Sequence, residues 1–500
     1  MIPSAPLLPP GPEARTGCSS TPPSLSFRQR VARALSDPVL HGALTRATKR
    51  YITNRTNAMA GLPNADAVRD HARRVRAHTL SHLDSYLAQF AEAVEAAGGQ
   101  VHWATDAAEA RRVILDLARS HGVKLAVKSK SMLGDELGVN HALEAAGVRV
   151  VETDLGEYIV QLAGERPSHI LTPAIHKTRQ QVGDLFHAKL GIPLTHEPAE
   201  LTRAARAELR RIFFSADMGI TGVNFGVAET GTLCLATNEG NGRMATTLPR
   251  LHVALMGIER LAPTLDDLSV ILQLLGRNST GQKLTVYTNL LTGPRRPSSR
   301  RSGLQPDTAD GEPDGPQELH VVLVDNGRSR ILGSHLAEIL YCIRCGTCLG
   351  ACPVYREIGG HAYGSVYMGP IGSVLTPALY GIEGWSDLPH ASSLCAACRD
   401  ACPVRIDLPG LLLELRDESV RAGRSPRWLR WGMRAYRMVA TSPARFRWAS
   451  RLAAWGSRLL ARRGWIRRLP PPLSAWTDHR DFPAFAAKTF SQQWRERRES

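Results

Sequence analysis

The chain has 500 residues, 43% of them hydrophobic, with 62 lysines and arginines against 46 aspartates and glutamates and a formal net charge of +16. This length and apolar content suit about two to four domains with real cores and exclude a wholly disordered chain. The positive excess is local: residues 421–470 hold 14 arginines and no acidic residue, which leaves the rest with 48 basic against 46 acidic residues.

In chain order, Met1 to Pro23 holds Pro, Ser and Gly without a continuous apolar run, so it is not a secretory signal. Residues 1–34 read as a disordered lead. No apolar run approaches the ~20 residues of a membrane-crossing helix. Asp66 to Ala97 reads as one long amphipathic helix, with Val68, Ala72, Val75, Leu83, Leu87, Phe90 and Val94 recurring at threes and fours and Gly98-Gly99 as the stop. Alternation follows: a helix over Thr105–His121, a strand over Lys124–Val127, a helix over Met132–Ala146, strands over Val148–Thr153 and His169–Leu171, and a helix over Lys177–Lys189. Such alternation predicts a mostly parallel, doubly wound sheet.

From Ile220 the texture becomes β-rich. Val223–Ala228 and Thr232–Ala236 are joined by Glu229-Thr-Gly231, and Asn238–Gly242 reads as a tight polar turn. Leu251–Met256, Leu284–Leu290 and Leu319–Val324 read as strands, and Leu265–Leu275 as a helix. Pro294–Gln317 is a Pro/Gly/Ser/Asp-rich insertion, expected to be a mobile surface loop. Residues 35–330 are therefore taken as one α/β domain, 331–420 as a cysteine-bearing domain and 421–500 as a basic Arg/Trp-rich tail.

Seven of the nine cysteines lie within residues 342–402. Cys342, Cys345, Cys348 and Cys352-Pro353 have the spacing C-x2-C-x2-C-x3-C-P, by which bacterial-type ferredoxins hold [4Fe–4S] clusters. The fourth cysteine of such a run ligates the other cluster, so a second run is required. It is present as Cys395, Cys398 and Cys402-Pro403. The crossing rule assigns Cys342, Cys345, Cys348 and Cys402 to cluster 1, and Cys352, Cys395 and Cys398 to cluster 2. Ser392 stands where cluster 2 would take its fourth cysteine. That cluster is then a [3Fe–4S] centre, or a [4Fe–4S] centre with Ser392, water or a partner-protein group on its fourth iron. Zinc prefers two separated cysteine pairs, and a disulfide framework needs a secreted chain. Thiolate-bound iron suits a reducing cytoplasm, and Cys18 and Cys234 stand alone.

With these residues stated, the sequence resembles the lactate utilisation protein B family, the iron–sulfur subunit of a bacterial L-lactate utilisation system. The likeness spans roughly residues 35–490 and rests on Val127-Lys-Ser-Lys-Ser-Met132, Glu152-Thr-Asp-Leu-Gly-Glu-Tyr158, Pro173-Ala-Ile-His-Lys177, Ala228-Glu-Thr-Gly-Thr232, Thr237-Asn-Glu-Gly-Asn-Gly-Arg243, both cysteine runs and Gly359-Gly-His-Ala-Tyr-Gly364. The resemblance implies a sugar-isomerase/CoA-transferase-like α/β domain, then an α-helical two-cluster ferredoxin-like domain and a basic helical tail. It also implies work with partner subunits in oxidising L-lactate to pyruvate. Family members differ at the position of Ser392. The arginine and tryptophan content of the tail is heavier than the family leads one to expect.

The α/β domain offers weaker candidates. Glu229 resembles in placement the carboxylate nucleophile of related CoA transferases, but no CoA motif accompanies it, and the ordering of a turn is the preferred role. Lys128 and Lys130, just past a strand end, could hold a carboxylate or phosphate or be plain surface lysines. No G-x-G-x-x-G follows a strand, so no flavin or nicotinamide fingerprint is present. Two functions follow: an electron-transfer subunit of an L-lactate-oxidising complex, or an acyl- or phosphate-handling enzyme with structural or redox-sensing clusters. The tail over 421–470 suits a peripheral contact with the inner face of the membrane or with an acidic partner, and nucleic acid is not the expected partner.

Overall fold

The computed structural model describes residues 23–295, 315–471, 473–478 and 480–499. The first 22 residues of the lead, with Cys18, and residues 296–314 of the insertion lie outside the described residues. The chain divides into two compact units, Met1–Ala422 and Gly423–Ser500.

The larger unit opens with four helices: α1 (Phe27–Leu35), α2 (Pro38–Ala60), α3 (Ala65–Ser81) and α4 (Leu83–Ala96). Helix α1 begins inside the stretch read as a disordered lead. A reciprocal capping box between Ser26 and Gln29 starts it, and Arg30 ties it down by donating from Nε to the Ala362 carbonyl at 2.9 Å. The single helix expected over 66–97 is two, broken at His82 (φ −127°, ψ 33°). There the imidazole, not the backbone amide, bonds the His78 carbonyl at 3.0 Å, interrupting the helical ladder.

The α/β part then runs β1 (Gln100–Ala104), α5 (Ala107–Ser120), β2 (Leu125–Lys128), α6 (Met132–Leu137), α7 (Val139–Ala145), β3 (Arg149–Glu152), α8 (Leu155–Ala163), α9 (Arg179–Leu190) and α10 (Pro198–Ser215). It continues with β4 (Met218–Gly222), β5 (Phe225–Val227), β6 (Thr232–Thr237), α11 (Asn241–Thr247), β7 (Leu251–Gly257), β8 (Leu261–Ala262), α12 (Leu265–Ser279), β9 (Tyr287–Leu291) and β10 (Glu318–Val324). The helix expected over 132–146 is split at Gly138 (φ 69°). The strand expected at His169–Leu171 is a turn, because the His169 Nδ1 accepts the amides of Leu171 and Thr172 at 3.0 and 3.2 Å.

Six strands form one sheet in the order β1-β10-β7-β4-β2-β3, and every pairing in it is parallel. Its central strand β7 is buried along its whole length, as expected of a parallel sheet covered on both faces. A smaller mixed sheet has the order β8-β5-β6-β9.

The cysteine segment adds α13 (Arg328–Leu332), α14 (Thr347–Ala351), α15 (Pro353–Ile358), α16 (Gly369–Tyr380), α17 (Ala397–Ala401) and α18 (Leu408–Arg421). It does not stand apart as a lobe. One hydrophobic core runs from Leu44 and Phe90 through Phe225, Leu233 and Ile271 to Tyr355, Tyr367 and Leu412. The connector between the cysteine runs is packed, with Tyr363, Tyr367 and Trp385 all buried.

The smaller unit contains α19 (Arg427–Ala440), α20 (Pro443–Leu460), a short antiparallel pair β11 (Trp465–Ile466) and β12 (Phe482–Pro483), and α21 (Phe490–Glu499). Helix α19 buries no residue. Trp428, Trp431, Tyr436, Trp448 and Trp455 are all exposed.

Candidate iron–sulfur centre and the cavity beside it

The two cysteine runs fold alike. Each places a left-handed residue before and after one cysteine: Arg344 (φ 60°) and Gly346 (φ 74°) flank Cys345, and Leu394 (φ 55°) and Ala396 (φ 64°) flank Cys395. Such reversals turn successive amides inward and form a concavity suited to an anionic centre. Amides do point at sulfur: Arg344 N donates to Cys342 Sγ, and Ile406 N to Cys402 Sγ, each at 3.4 Å. Ser392 is half-buried, and its hydroxyl oxygen accepts the Leu394 amide at 3.1 Å.

The topology brings all seven cysteines of the runs together in two groups. Burial, together with the neighbouring Cys345 and Cys342, pushes the Cys402 thiol up to about 12. Burial likewise pushes Cys398 up to about 12, with Cys352 and Cys395 as its thiol neighbours. Cys348 is raised by burial, then by Cys342 and Cys345, and it also senses Cys398 and Cys402. Only Cys395 is exposed, and the Ala397 amide and the Ser393 hydroxyl hold it below the ordinary range. All eight described cysteines are free thiols. Crowded, buried thiols that raise one another cannot ionise together unless positive charge sits among them. This donor set therefore fits iron–sulfur clusters. Among the described residues no three donors converge closely enough to surround a single ion. Cys234, by contrast, is a lone buried thiol on β6, raised to about 12 by burial.

Arginines from the opening helices grip the same loops. Arg55 donates to the Ala401 carbonyl at 2.9 Å. Arg69 donates to the Asp400 and Cys402 carbonyls at 2.7 Å, and Arg73 to the Arg405 carbonyl at 2.7 Å. Arg76, fully buried, donates to the Leu340 carbonyl at 3.0 Å and the Leu261 carbonyl at 2.7 Å. Sequence reading missed them. The available signal was the spacing of 69, 73 and 76 beside the apolar Ala72 and Val75, which puts the arginines near the buried face of α3.

Beside this centre lies a cavity of about 560 Å³. Residues just past the ends of β2, β3, β4, β7 and β10 contribute to its wall, among them Lys130, Asp154, Asn224, Glu259, Arg260 and Arg328. This is the carboxyl edge of a parallel sheet, where open α/β folds bind ligands. The cysteine segment closes the cavity with Arg344 and Tyr367.

A buried ion network frames it. Arg328 forms a bidentate pair with Glu136, at 2.9 and 2.8 Å, and an ion pair with Glu259 at 2.7 Å. Tyr367 Oη donates to Glu136 across the segment boundary. Burial pushes the Glu259 carboxyl up, but Arg328, Arg344 and Arg260 outweigh it and hold it at about 2. Gly257 is required here, because a Cβ on it would collide with the Glu259 carboxylate and stand 2.7 Å from Arg328 Nε. Arg260 stacks on Phe225, 4.3 Å from the ring centroid, and donates to the Cys342 carbonyl at 2.7 Å.

The two lysines part company. Lys128 is fully buried and paired with Glu152 at 2.8 Å and Asp135 at 3.2 Å, so it is a core ion pair and not a surface lysine. Lys130 lines the cavity. Glu229 is exposed, and its carboxylate accepts the Leu265 amide at 2.7 Å at the start of α12; it does not line the cavity. Gly231 in the same turn (φ 66°) leaves no room for a Cβ, which would lie 2.5 Å from Val94 N.

Two thiol groups and amide-lined loops packed against a parallel α/β sheet define a class: an α/β protein fused to a two-cluster iron–sulfur module. Comparison with known proteins agrees. Residues 87–324 match the LUD domain, 338–406 the 4Fe-4S dicluster domain, and 421–499 the C-terminal domain of lactate utilisation protein B. Curated proteins called lactate utilization protein B are 45% identical in Shouchella clausii over 472 residues, and 44% identical over 474 residues in Bacillus licheniformis and in Bacillus pumilus. Each alignment covers 94% of this chain and 97% of the relative. The chain belongs to the lactate utilization protein B family, and it carries iron–sulfur clusters in its cysteine segment. Among the described residues no helix is long and apolar enough to cross a membrane.

Proposed function

We propose that this protein carries electrons on two iron–sulfur clusters during the oxidation of L-lactate to pyruvate, in company with partner subunits. The observation that supports the reading best is Cys348, whose thiol senses both cysteine groups; two centres so close can act as a relay. Clusters pass one electron at a time, so the two-electron step on lactate belongs to a partner or its cofactor. The competing reading, an acyl- or phosphate-handling enzyme, lacks a carboxylate nucleophile from Glu229 in the cavity. Lactate oxidation should be absent with the purified chain alone and appear when the partner subunits are added. Turnover of a CoA ester or a phosphosugar by the chain alone would favour the competing reading instead.

The ligand sets belong to the same proposal: Cys342, Cys345, Cys348 and Cys402 hold cluster 1, and Cys352, Cys395 and Cys398 hold cluster 2. What supports them is the grouping of the thiols and the crossing rule. Cys348→Ala should damage cluster 1 alone and Cys352→Ala cluster 2 alone. Loss of one and the same EPR signal in both variants would show the assignment to be wrong.

The tail's part in this reading is to dock the protein on an anionic surface. Its 14 arginines over 421–470 have no carboxylate in the same stretch to offset them, and its exposed tryptophans suit an interface. The cytoplasmic membrane face is the docking surface in this account, with an acidic partner subunit as the alternative outcome.

A further inference from the structure

The cavity at the sheet's carboxyl edge has cations whose hydrogen-bonding capacity the wall leaves partly unused. Arg344 reaches it from the cysteine loop. Its guanidinium lies over the Tyr367 ring, 4.5 Å from the centroid, and Nη2 stands 3.6 Å from Glu259. Its Nη1 is buried with no hydrogen-bond partner among the described residues. A buried guanidinium nitrogen left unpaired is costly, and this one belongs to the wall of a cavity. Lys130, from the loop after β2, lines the same cavity, and no salt bridge or hydrogen bond engages its ammonium among the described residues. The acidic residues on the wall have other hydrogen-bond or ion-pair partners, although Glu239 also feels the charge of Lys130. Glu259 is held by Arg328 at 2.7 Å, Asp154 accepts the Glu157 amide at 3.1 Å, and Glu239 accepts the Leu155 amide at 3.1 Å.

We infer that this cavity binds a small organic anion whose carboxylate or phosphate oxygens are held by Arg344 and Lys130. The volume of about 560 Å³ lies in the range of small-molecule sites, so the anion has room for more than a three-carbon skeleton. Arg344 supplies the fork that suits an oxyanion, and Asn224 and Asn238 on the same wall offer neutral amides.

The position of Arg344 gives the site a second property. Its backbone amide donates to Cys342 Sγ at 3.4 Å, so the guanidinium is carried by the loop that holds the thiolates assigned above to cluster 1. An anion on the guanidinium neutralises a cation that favours the reduced cluster. Reduction of cluster 1 therefore weakens the anion, and the anion lowers the potential of cluster 1 by the same factor, as linkage requires. This redox half rests on the electron-carrying reading, whereas the anion site does not.

The test uses the anaerobically purified full chain with its clusters in place. Calorimetric titrations with L-lactate, pyruvate, oxalate and inorganic phosphate measure binding, and EPR-monitored redox titrations measure each cluster with and without each probe. Saturable binding is expected for at least one probe, weakened tenfold or more in Arg344→Gln and in Lys130→Gln. A bound probe should lower the midpoint of cluster 1 more than that of cluster 2. A tenfold affinity difference between redox states corresponds to about 59 mV for a one-electron couple. The carboxylate and phosphate arms identify the source of the oxyanion. Absence of saturable binding by all four probes, or binding untouched by both substitutions, overturns the site. Lys130→Gln lies outside the cysteine runs and decides the matter should Arg344→Gln fail to assemble cluster 1. Binding without a shift overturns the redox half and leaves the electron-carrying reading intact. Clusters that accept no electron contradict that reading, while calorimetry still judges the anion site.

Discussion

Arg69 on α3 donates to the carbonyl oxygen of Cys402, 333 residues further along the chain, at 2.7 Å. The same nitrogen also serves the Asp400 carbonyl at 2.7 Å. The opening helices thereby fix the cysteine that the crossing rule gives to cluster 1. Arg69→Leu leaves both carbonyls without this donor, and hydrogen bonds from charged groups contribute about 1.5–3 kcal/mol each. The expected outcome is loss of cluster 1 iron on gel filtration with cluster 2 retained, read by EPR and iron analysis. Equal loss of both signals would mean that Arg69 supports the fold generally and not this loop.

Removing one member of the buried network should be costlier. Arg328→Met strands Glu136 and Glu259, both fully buried, without their shared cation. Breaking a buried pair from one side costs about 3–5 kcal/mol. Denaturant unfolding followed by circular dichroism should show a midpoint well below that of the parent, whereas Arg211→Met, at an exposed pair on α10, should shift it little.

Two buried imidazoles set the response to mild acid. Burial holds His169 and His252 down at about 3, and each accepts hydrogen bonds or shares one while neutral. Their unfolded value is about 6.5. Below that pH the unfolded chain takes up protons that the folded chain refuses. Stability should therefore fall as pH drops from about 6.5, by roughly 1.4 kcal/mol per pH unit for each histidine. Denaturant midpoints measured between pH 7 and pH 5 check the sign. His252→Gln should flatten the slope, and an unchanged slope would remove His252 from the account.

These features differ in how far sequence could announce them. The cysteine runs and the iron–sulfur clusters they imply were readable because the spacing that signals them is local. The Ser26–Gln29 capping box was equally local, yet it sat in a stretch whose Pro and Ser content pointed to disorder. The partners of Arg69, Arg73 and Arg76 are backbone carbonyls from distant segments, which carry no side-chain signature. Lys128 showed the opposite limit: a lysine at a strand end implies solvent, and only the fold reveals Asp135 and Glu152 around it. The break at His82 depends on a side chain capturing one carbonyl, which apolar periodicity does not register.

Ser392 bears on the form of cluster 2. If it leaves the fourth iron of cluster 2 without a thiolate, as the proposed ligand sets have it, that cluster should appear as an oxidised [3Fe–4S] signal after purification in air. Ser392→Cys should give a stable [4Fe–4S] centre. An oxidised spectrum unchanged by the substitution would count against a ligand gap at this position.

The basic unit should bind anionic vesicles. Each basic residue near an anionic leaflet contributes about 1 kcal/mol, and screening acts over about 8 Å at physiological ionic strength. Co-sedimentation of the full chain with anionic vesicles should exceed that with neutral ones and fall as salt rises. A chain ending at Ala422, the boundary of the larger unit, should stay in the supernatant. Equal pelleting of the two chains, or none at low salt, would remove the membrane and leave an acidic subunit as the docking surface.

The central claim is that electrons from lactate pass through these clusters. Rapid-freeze EPR on the reconstituted system, mixed anaerobically with L-lactate, tests it most directly. Reduced cluster signals should appear at least as fast as pyruvate forms, and Cys348→Ala should abolish the cluster 1 signal and slow pyruvate formation together. Pyruvate accumulating at the parental rate while both clusters stay oxidised would contradict the account.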